Sequence, residues 1–501
     1  MISHNKLPNH MSFKTQVIAI LITASLSATG QNEVDALRYS QVTFGGTARF
    51  NSLGGAFGAL GGDLSVTSVN PAGLSIYRAS EFSFTPAIYT HTTSSTHYGN
   101  TAEDGKINMN LGNIGVVFTD MKLGGFSGWE GTSFAITYNS HNNFHNRRSI
   151  SGVNSTSSLL DHYARQVNGL NPTDVYDTDP FGSSLAWNTF LLNPINSVDT
   201  TTYIGVVGNG GAEQRKYTLQ RGGLSEFDIA LSGNYNNKFY IGGTLGFPLL
   251  DYTEESSYTE TDISDTISYF KSFTLNESLH TSGSGFNFKL GMIFRPIDWM
   301  RIGGAVHTPT YWKLHDNYNS DMSAQFDSVP IWSTTNDKNY SASSPQGAYD
   351  YRLYTPWRLI GSMAFIIKKQ GLFSVDYELV DYSSARLRGE LGGFDLQNAA
   401  IDQKYIHATN IKLGTEWRFQ PFSIRGGYAL YGSPYSNELN DGSRENYSLG
   451  FGIRDEGFYI DFAYILSKVS EDYYLYSGDL TEATQTTLTA HAFQTTLGFR
   501  F

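Results

Sequence analysis

One stretch of the chain contains four side chains that can accept and donate protons: His141, His145, Asp161 and His162. Such groups catalyse reactions when one of them is held against a nucleophile or a substrate proton. The sequence offers no nucleophile with an oriented base, and scattered His and Asp are typical of a solvated surface. We therefore expect no catalytic residue and a protein that is not an enzyme.

An acidic cluster is the second set of residues with chemical potential. Asp251, Glu254 and Glu255 could bind Ca²⁺ or bridge to lipopolysaccharide through cations, but their spacing matches no dedicated calcium loop. Charged residues at solvated strand ends explain the cluster better. We expect neither a metal site nor a cofactor.

Glycines near the N-terminus suggest a phosphate-binding loop at first sight. The spacing of these glycines does not match the motif G-x-G-x-x-G, however, and no strand precedes them; they are Gly54, Gly55, Gly58 and Gly61. A glycine-zipper helix pair normally lies in an apolar run of about 20 residues, which is missing at this point. Glycine also lets one backbone approach another closely, which suits a chain pressed against an inner wall.

Composition excludes further classes of function. The net charge of -12 argues against a nucleic-acid partner, because no face is rich enough in Lys and Arg to neutralise phosphates. With 0 cysteines, the chain has no disulfide, no thiolate metal site and no lipid-modified cysteine.

The elements that carry these residues are strands. Aromatic residues make up 14 % of the chain and there are 51 glycines, which favours strands joined by turns. From residue 82 onward, segments of about ten residues alternate apolar and polar side chains, as the strands of a membrane barrel do. We predict an all-β, fourteen-stranded antiparallel transmembrane β-barrel. Its strands lie over residues 82–89, 107–118, 134–143, 227–235, 239–247, 286–294, 299–308, 357–367, 372–382, 409–419, 423–431, 447–454, 458–466 and 490–501.

The connections support a barrel independently. Short turns such as 236–238 and 420–422 alternate with long loops such as 144–226 and 309–356. That asymmetry is typical of bacterial outer-membrane barrels, which have periplasmic turns and extracellular loops. Only the predicted turn over 119–132 is longer than the pattern prefers.

The N-terminus reads as a targeting segment. An apolar run over residues 17–26 is followed by small residues, which is the order of a secretory signal peptide. The run is only half of the roughly 20 residues that a membrane helix needs. We expect residues 1–30 to be a signal peptide, with either Met1 or Met11 as the start, residues 31–81 to be a separate N-terminal segment, and residues 82–501 to form the barrel.

The last predicted strand carries an apolar row on one face, formed by Phe493, Leu497, Phe499 and Phe501. A terminal aromatic residue on such a strand resembles the signal by which the barrel assembly machinery recognises its clients. We predict that this row faces lipid and that the machinery is a partner during biogenesis. Aromatic residues near strand ends are expected to form interface girdles; these are Trp299, Trp312, Trp357, Trp417 and Tyr464.

The N-terminal segment, residues 31–81, is unlike the rest of the chain. Its distinctive positions are Gly45, Gly46, Gly54, Gly55, Asn70, Pro71, Ala72 and Gly73. Together with the strand count, and with the motifs DALRYSQ at 35–41, YNSHNNFHNR at 138–147 and LAWNTFLLNP at 185–194, this segment resembles the FadL (OmpP1/FadL/TodX) family of outer-membrane transporters, in its Bacteroidota form. The resemblance spans nearly the whole mature chain.

The resemblance implies passive uptake of hydrophobic small molecules across the bacterial outer membrane. In that family the N-terminal segment is a hatch in the lumen, and a kinked strand opens a side exit through the wall. The resemblance therefore implies that the eight distinctive positions of the N-terminal segment form a gate. Fatty acids, aromatic hydrocarbons and haem all stay open as substrates, and which strand is kinked is not apparent.

The long outer loop is expected to hold short helices. Ser157 can cap one helix that Gly169 stops, and Asp179 with Pro180 can open a second that ends at Asn193. The apolar side chains of the second helix either pack on the barrel mouth or line a groove for hydrophobic ligands. The residues assigned to this hypothetical groove are Trp187, Phe190, Leu191 and Leu192.

Two functions stay open. The first is a transporter whose partners are a hydrophobic substrate, membrane lipid and lipopolysaccharide. The second is a barrel that does not transport and serves as an accessory or scaffold, bound to other proteins in an outer-membrane secretion or barrel-assembly complex.

Overall fold

The computed structural model describes residues 31–43, 45–121, 128–208, 210–368, 370–390, 392–437 and 440–501. The expected signal peptide, residues 1–30, lies outside the described residues. The strands are β1 (Glu81–His97), β2 (Asn100–Met121), β3 (Trp129–Asn143), β4 (Asn146–Asn154), β5 (Leu192–Pro194), β6 (Tyr203–Gly205), β7 (Ala212–Tyr235), β8 (Phe239–Thr261), β9 (Phe270–Ile297), β10 (Met300–His307), β11 (Tyr311–Phe326), β12 (Asn339–Ser343), β13 (Gly347–Tyr354), β14 (Arg358–Ile367), β15 (Gly371–Asp381), β16 (Arg386–Gly389), β17 (His407–Phe419), β18 (Phe422–Tyr431), β19 (Arg444–Arg454), β20 (Phe458–Tyr473) and β21 (Thr484–Arg500).

Helices are short. They are α1 (Glu33–Ser40), α2 (Ala48–Ser52), α3 (Leu159–Val167), α4 (Val175–Thr178), α5 (Ser183–Asn188) and α6 (Asp395–Lys404), with 3₁₀ turns at Leu64–Ser68, Pro71–Ile76 and Tyr382–Ser384. Within the described ranges, no helix has the length and apolar character needed to cross a membrane.

The strands close into one antiparallel barrel of fourteen wall strands. Closure is made by β1, which pairs with β2 on one side and with β21 on the other, in a register that sets Phe82 against Phe499. Four wall strands are interrupted: the third consists of β3 and β4, the seventh of β10 and β11, the eighth of β12 to β14, and the ninth of β15 and β16. The small sheet of β5 and β6 lies outside the barrel wall.

Side chains alternate across the wall as the sequence predicts. On the fourth wall strand, β7, Phe227 and Ile229 face outward and are exposed, whereas Glu226 and Asp228 face the lumen and are buried. An outward apolar face and a polar interior are the arrangement of a strand that spans a lipid bilayer. The barrel is therefore an integral outer-membrane fold.

All fourteen predicted strands are confirmed, but several are longer than predicted. Residues 90–106, expected as a loop, continue β1 and β2 up to a turn at Tyr98 and Gly99. Residues 248–285 likewise belong largely to β8 and β9. Their outward faces are largely polar, and apolar side chains such as Leu250, Tyr252 and Phe273 point inward, so the extensions lack the outward apolar row that marks the membrane-spanning part. We call the end of the barrel that carries them the loop end and the opposite end the turn end.

The predicted outer helices are partly right. The first is α3, but its cap is Ser158 rather than Ser157; Ser158 Oγ accepts a hydrogen bond from the backbone of Leu160 at 3.1 Å. The second, α5, ends at Asn188, so Phe190, Leu191 and Leu192 lie beyond it. The reason is local, because Phe190 has a φ of 59° and a helix cannot continue through it.

Candidate functional site

The N-terminal segment, residues 31–81, runs through the lumen from the loop end to the turn end. Helix α1 lies among the loop-end strands, where Lys404 Nζ donates to Glu33 at 2.7 Å. Residues 46–75 are almost completely enclosed by the wall, and Phe50, Leu53, Phe57 and Leu64 pack against inward-facing apolar residues. The chain then reaches the turn end, where Tyr77 donates to Glu81 at the start of β1. The N-terminal segment therefore occupies the lumen along residues 46–75.

Close contact with the wall depends on glycines in the wall itself. A Cβ at Gly242 would lie 2.6 Å from the carbonyl carbon of Pro71, and one at Gly414 would lie 2.6 Å from the carbonyl oxygen of Leu53. Real Cβ atoms do not approach this closely, so these positions let the two backbones touch. Gly303 and Gly427 meet the backbone of the N-terminal segment in the same way, whereas Gly291 and Gly450 make room for its side chains Asn70 and Ser52.

The predicted gate positions all lie in this contact zone. Asn70 caps the 3₁₀ turn that begins at Pro71, accepting from the backbone of Ala72 at 3.2 Å. Its Nδ2 donates to the carbonyl oxygens of Gly58 at 2.6 Å and Met292 at 3.1 Å. Asn70 thus ties two parts of the segment to the sixth wall strand.

The glycines of the segment permit its tight path. Gly54 and Gly55 have φ values of 64° and 74°, which side chains other than glycine rarely adopt. Gly73 packs against Gly61, and Gly46 against Ser65, within the segment. Gly45 instead lies against the backbone of Ser140 in β3.

Two sets of buried charges hold the segment to the wall. On one side, Arg49 Nε donates to Glu416 at 2.8 Å, and Arg425 Nε donates to the same carboxylate at 2.7 Å. Across the lumen, Thr67 and Ser68 donate to Asp228 at 3.0 Å and 2.8 Å. Because charges buried without partners are costly, these contacts favour one seated position of the segment.

The pairing between neighbouring wall strands is interrupted at one level from the fifth to the ninth strand. The regular pairing of β8 with β9 stops at Phe247 and Pro248, and pairing also stops at 308–310 between β10 and β11, at 355–357 between β13 and β14, and at 382–385 between β15 and β16. Proline has no N–H to donate to a neighbouring strand, and Pro248, Pro309 and Pro356 all lie at this level. Thr310 and Thr355 still bridge the seventh and eighth strands, because the Thr310 N–H donates to Thr355 Oγ1 at 2.8 Å.

A cavity of about 40 Å³ lies directly behind this interruption. We call it the wall cavity. Helix α1 covers it from the loop end, and the residues that line it are Tyr39, Ser40, Val42, His141, Leu224, Glu226, Pro248, Asn287, Lys289, His307, Thr308, Thr310, Trp312, Thr355, Pro356 and Arg358. Its lining combines apolar side chains with charged groups that are paired to one another, such as Lys289 and Glu226, which form an ion pair.

Helix α1, the roof of the wall cavity, is fixed by its own polar contacts. Asn32 Oδ1 accepts from the backbone of Asp35 at 3.1 Å, and the Asp35 carboxylate accepts in return from the Asn32 backbone at 3.4 Å. Burial raises the pKa of the Asp35 carboxyl above its usual range, while Arg38 beside it opposes part of that rise. The guanidinium of Arg38 also stacks 4.5 Å from the ring centre of Tyr252, which holds the helix against β8.

The outer loops form a separate apolar cluster above the barrel. It includes the helix residues Leu160 and Val167 together with Leu191, Phe270 and Tyr476. A second cavity of about 20 Å³ lies at its edge, between Tyr163, Phe181 and Leu275.

The residues predicted to line a ligand groove divide into two pairs. Leu191 and Leu192 are fully buried in the outer cluster. Trp187 and Phe190 are half-buried at its surface, where the ring of Phe190 lies 4.8 Å from that of Tyr340. The first pair therefore packs the loops, and only the second pair is accessible to a ligand.

The predicted girdle is wrong at one position. Trp299, Trp357, Trp417 and Tyr464 lie on the outer surface of the wall, but Trp312 is buried and lines the wall cavity. Trp312 faces Gly285 in the neighbouring strand, which leaves room for the indole inside the barrel. The predicted lipid-facing row at the last strand does point outward, with Phe493, Phe499 and Phe501 exposed and Leu497 half-exposed.

The residues considered for catalysis each have a different structural partner. His141 Nε2 lies 3.0 Å from Glu226 inside the lumen, His145 lies 3.0 Å from Asn143, and Asp161 caps α3 at 2.9 Å from the Ser158 backbone. The acidic side chains on β8 are also paired, for example Glu255 with Arg221 at 2.6 Å. Over the described residues, no group of three or more His, Cys, Asp or Glu is placed to hold a metal ion.

Comparison with known proteins gives a match in structure only. No protein-family model matches the sequence, and no curated protein sequence matches it either. Among solved structures, the Pseudomonas aeruginosa FadL homologue superimposes with a TM-score of 0.55 at 13 % identity, covering 91 % of this chain and 98 % of that one. The P. putida toluene transporter TodX gives a TM-score of 0.52 at 12 % identity, covering 91 % of this chain and 99 % of that one. The chain has the fold of the FadL and TodX barrels. The resemblance drawn from the sequence is thus confirmed at the level of the fold.

Several residues of this FadL-type barrel escaped the sequence analysis. The charges that face the lumen, including Glu226, Asp228 and Lys289, sit at the polar positions of alternating strands, so the alternation itself could have identified them. Helix α1 could have been found from its capping box, in which Asn32 and Asp35 hydrogen-bond reciprocally. The wall cavity could not, because it is assembled from residues far apart in the sequence.

Proposed function

We propose that this barrel carries hydrophobic small molecules passively across the outer membrane, and that they leave through the wall rather than through the turn end. The observation that carries the proposal is the wall cavity, which lies behind the interruption at Pro248, Pro309 and Pro356. An apolar solute crosses neither the polar lipopolysaccharide surface nor a water-filled pore readily, so a route with apolar contacts is required.

The outer loops supply the capture surface in this proposal. Trp187 and Phe190 are the accessible aromatic residues of the outer cluster, and the cavity between Tyr163, Phe181 and Leu275 lies at the edge of the same cluster. Because ligand sites combine aromatic side chains with a concave surface, a ligand would dock here before it reaches helix α1.

The side exit is assigned to the boundary between the seventh and eighth wall strands. There the backbone ladder between β10 and β14 ends at His307 and resumes between β11 and β13 at Tyr311. The third wall strand also has an irregularity, between Ser140 and Asn142, but Asn142 there is hydrogen-bonded to Thr43 and to Gln41. The N-terminal segment covers that site, whereas the wall cavity reaches the inner face of the seventh and eighth strands.

The N-terminal segment acts as the gate that closes the axial route. Close backbone contacts hold Gly45, Gly54 and Pro71 against the wall, and the side of the barrel is then the route that needs the least rearrangement. The outward row ending at Phe501 would serve as the signal for the barrel assembly machinery, and membrane lipid would contact the same face.

Uptake by cells tests the proposal. A strain that lacks this protein should lose uptake of at least one radiolabelled class among a long-chain fatty acid, an aromatic hydrocarbon and haem, and the gene supplied on a plasmid should restore it. Unchanged uptake of all three classes, with the barrel present in the outer membrane, would overturn the proposal.

The filled lumen is the observation that favours the second function. A barrel whose N-terminal segment is enclosed along residues 46–75 can serve as a rigid accessory subunit of an outer-membrane complex. Cross-linking in intact membranes separates the two functions, because an accessory subunit is recovered in a stoichiometric complex with other outer-membrane proteins and a transporter is recovered alone.

A further inference from the structure

The wall cavity contains polar atoms whose bonding capacity is unused. Ser40, Asn287 and Trp312 are exposed by only 1 %, 6 % and 2 %. Among the residues that the structure describes, Ser40 Oγ, Asn287 Oδ1 and Trp312 Nε1 have no hydrogen-bond partner. All three residues line the wall cavity. Buried polar side chains are otherwise paired in folded proteins, so this concentration at one cavity points to a ligand.

The identity of each free atom is fixed by its surroundings. The amide nitrogen of Asn287 donates to Glu226 at 2.6 Å and to Thr310 at 3.1 Å, so the free atom of this side chain is its oxygen, an acceptor. The indole of Trp312 packs against Gly285 and offers only a donor. The Ser40 hydroxyl can both donate and accept. The cavity therefore presents a donor and an acceptor together.

The charges near these atoms are already balanced. Lys289 forms ion pairs with Glu226 and Asp228, and Arg358 forms one with Glu378 at 2.6 Å. A carboxylate head group would therefore face the Glu226 carboxylate and the Asn287 oxygen without a free cation to bind it. A pure hydrocarbon would leave both the Trp312 donor and the Asn287 acceptor unsatisfied.

We propose that the wall cavity is a head-group subsite for neutral hydrophobic compounds that carry a hydroxyl group, such as phenols and alcohols. The ligand oxygen accepts from Trp312 Nε1, and its hydroxyl hydrogen is donated to Asn287 Oδ1. Ser40 Oγ provides a further contact at the α1 side. Val42, Leu224 and Pro356 then face the apolar part of the ligand. This inference rests on the proposed transport function and names its substrate class.

Three probes with one ring framework test the subsite. Toluene, p-cresol and 4-methylbenzoate differ only at one ring substituent, which is hydrogen, hydroxyl or carboxylate. Calorimetric titration of the full-length barrel in amphipol at pH 7 should show p-cresol binding about tenfold more tightly than either of the other two, the gain expected from paired neutral hydrogen bonds.

Two variants connect that preference to the cavity. Trp312→Phe removes the donor and should lower p-cresol affinity about three- to tenfold while leaving toluene affinity unchanged. Ser40→Ala removes only the hydroxyl, because the backbone carbonyl of Ser40 still accepts a hydrogen bond from Arg358. If Trp312→Phe does not fold, Ser40→Ala provides the same test of the subsite. Trp417→Phe, on the outer wall, is the matched control and should change no affinity.

Each outcome decides the inference. Equal affinity for all three probes, or tightest binding of 4-methylbenzoate, would overturn it. A p-cresol preference that survives in both Trp312→Phe and Ser40→Ala would also overturn it, since bound water would then satisfy the free atoms. Transport of all three probes at equal rates would reject the subsite but leave the transport function standing, whereas binding and transport of none would reject both.

Discussion

Arg49 in the N-terminal segment donates a hydrogen bond to Glu416 in the barrel wall over 2.8 Å. Both side chains are buried, and the pair joins the N-terminal segment, the proposed gate, to the barrel wall. Glu416 keeps Arg425 and Arg418 as partners when Arg49 is replaced, so the expected loss is that of one buried hydrogen bond between charged groups, about 1.5–3 kcal/mol. Arg49→Met should therefore lower thermal stability and increase the ionic conductance of single barrels in planar bilayers.

Conductance separates release of the N-terminal segment from general damage to the barrel. Arg165→Met, which removes a half-exposed partner of Asp479 in the outer loops, is the matched control. It should leave both stability and conductance close to those of the unmodified barrel, because exposed ion pairs contribute about 0–1 kcal/mol. If Arg49→Met conducts no more than Arg165→Met, the ion pair does not hold a gate.

Wall glycines give a second test of the seated segment. A side chain at Gly303 would overlap the carbonyl of Gly58, whereas one at Gly361, on the adjacent strand, would meet nothing within 4 Å. Gly303→Val should displace the N-terminal segment and raise conductance, and Gly361→Val should not. Protease digestion from the turn end provides the independent measurement, since only the displaced segment should become cleavable.

Removal of residues 45–74 should leave a folded barrel. The carboxylates that hold the segment keep partners within the wall, because Glu416 stays paired with Arg425 and Asp228 with Lys289. The shortened protein should still show the heat-dependent change in gel mobility of a folded barrel, with a large rise in conductance. A failure to fold would mean that the segment is part of the core rather than a gate.

The outer cluster offers a contrast between two adjacent residues. Phe190→Ser removes a half-buried ring at the surface of the cluster and should weaken binding of hydrophobic ligands several-fold without a loss of stability. Leu191→Ser places a hydroxyl in a fully buried position and should unfold the loops, at a cost of about 2–5 kcal/mol. Limited proteolysis of the loops distinguishes the two effects, and unchanged ligand binding by Phe190→Ser would remove it from the capture surface.

The membrane-spanning part of the fold was predictable because its physics is local. Alternation along a segment such as 227–235 reports the two faces of the wall directly, so every predicted strand was found. Prediction failed for residues 90–106 and 248–285, which form strands beyond the membrane. Their outward side chains are largely polar, so these strands lack the outward apolar row that identifies a membrane-spanning segment.

The candidate site was less accessible to sequence analysis. Asn70 and the glycines around it were identified from composition and resemblance, but their partners are wall residues such as Gly242 and Met292 that no local pattern marks. Trp312 was assigned to the lipid interface because tryptophan near a strand end usually lies there. Only the register of β11 against β9 turns it into the lumen.

If hydrophobic compounds leave the barrel between the seventh and eighth wall strands, a reversible cross-link across that boundary must block their uptake. Thr310 and Thr355 face each other across that boundary, and the chain contains 0 cysteines, so Thr310→Cys with Thr355→Cys introduces one defined disulfide. Ser470→Cys with Thr487→Cys, a paired position between β20 and β21, is the matched control. The oxidised Thr310→Cys/Thr355→Cys variant should lose uptake of the radiolabelled compound and recover it on reduction, while the control should be unaffected. Full uptake with the disulfide formed would contradict it.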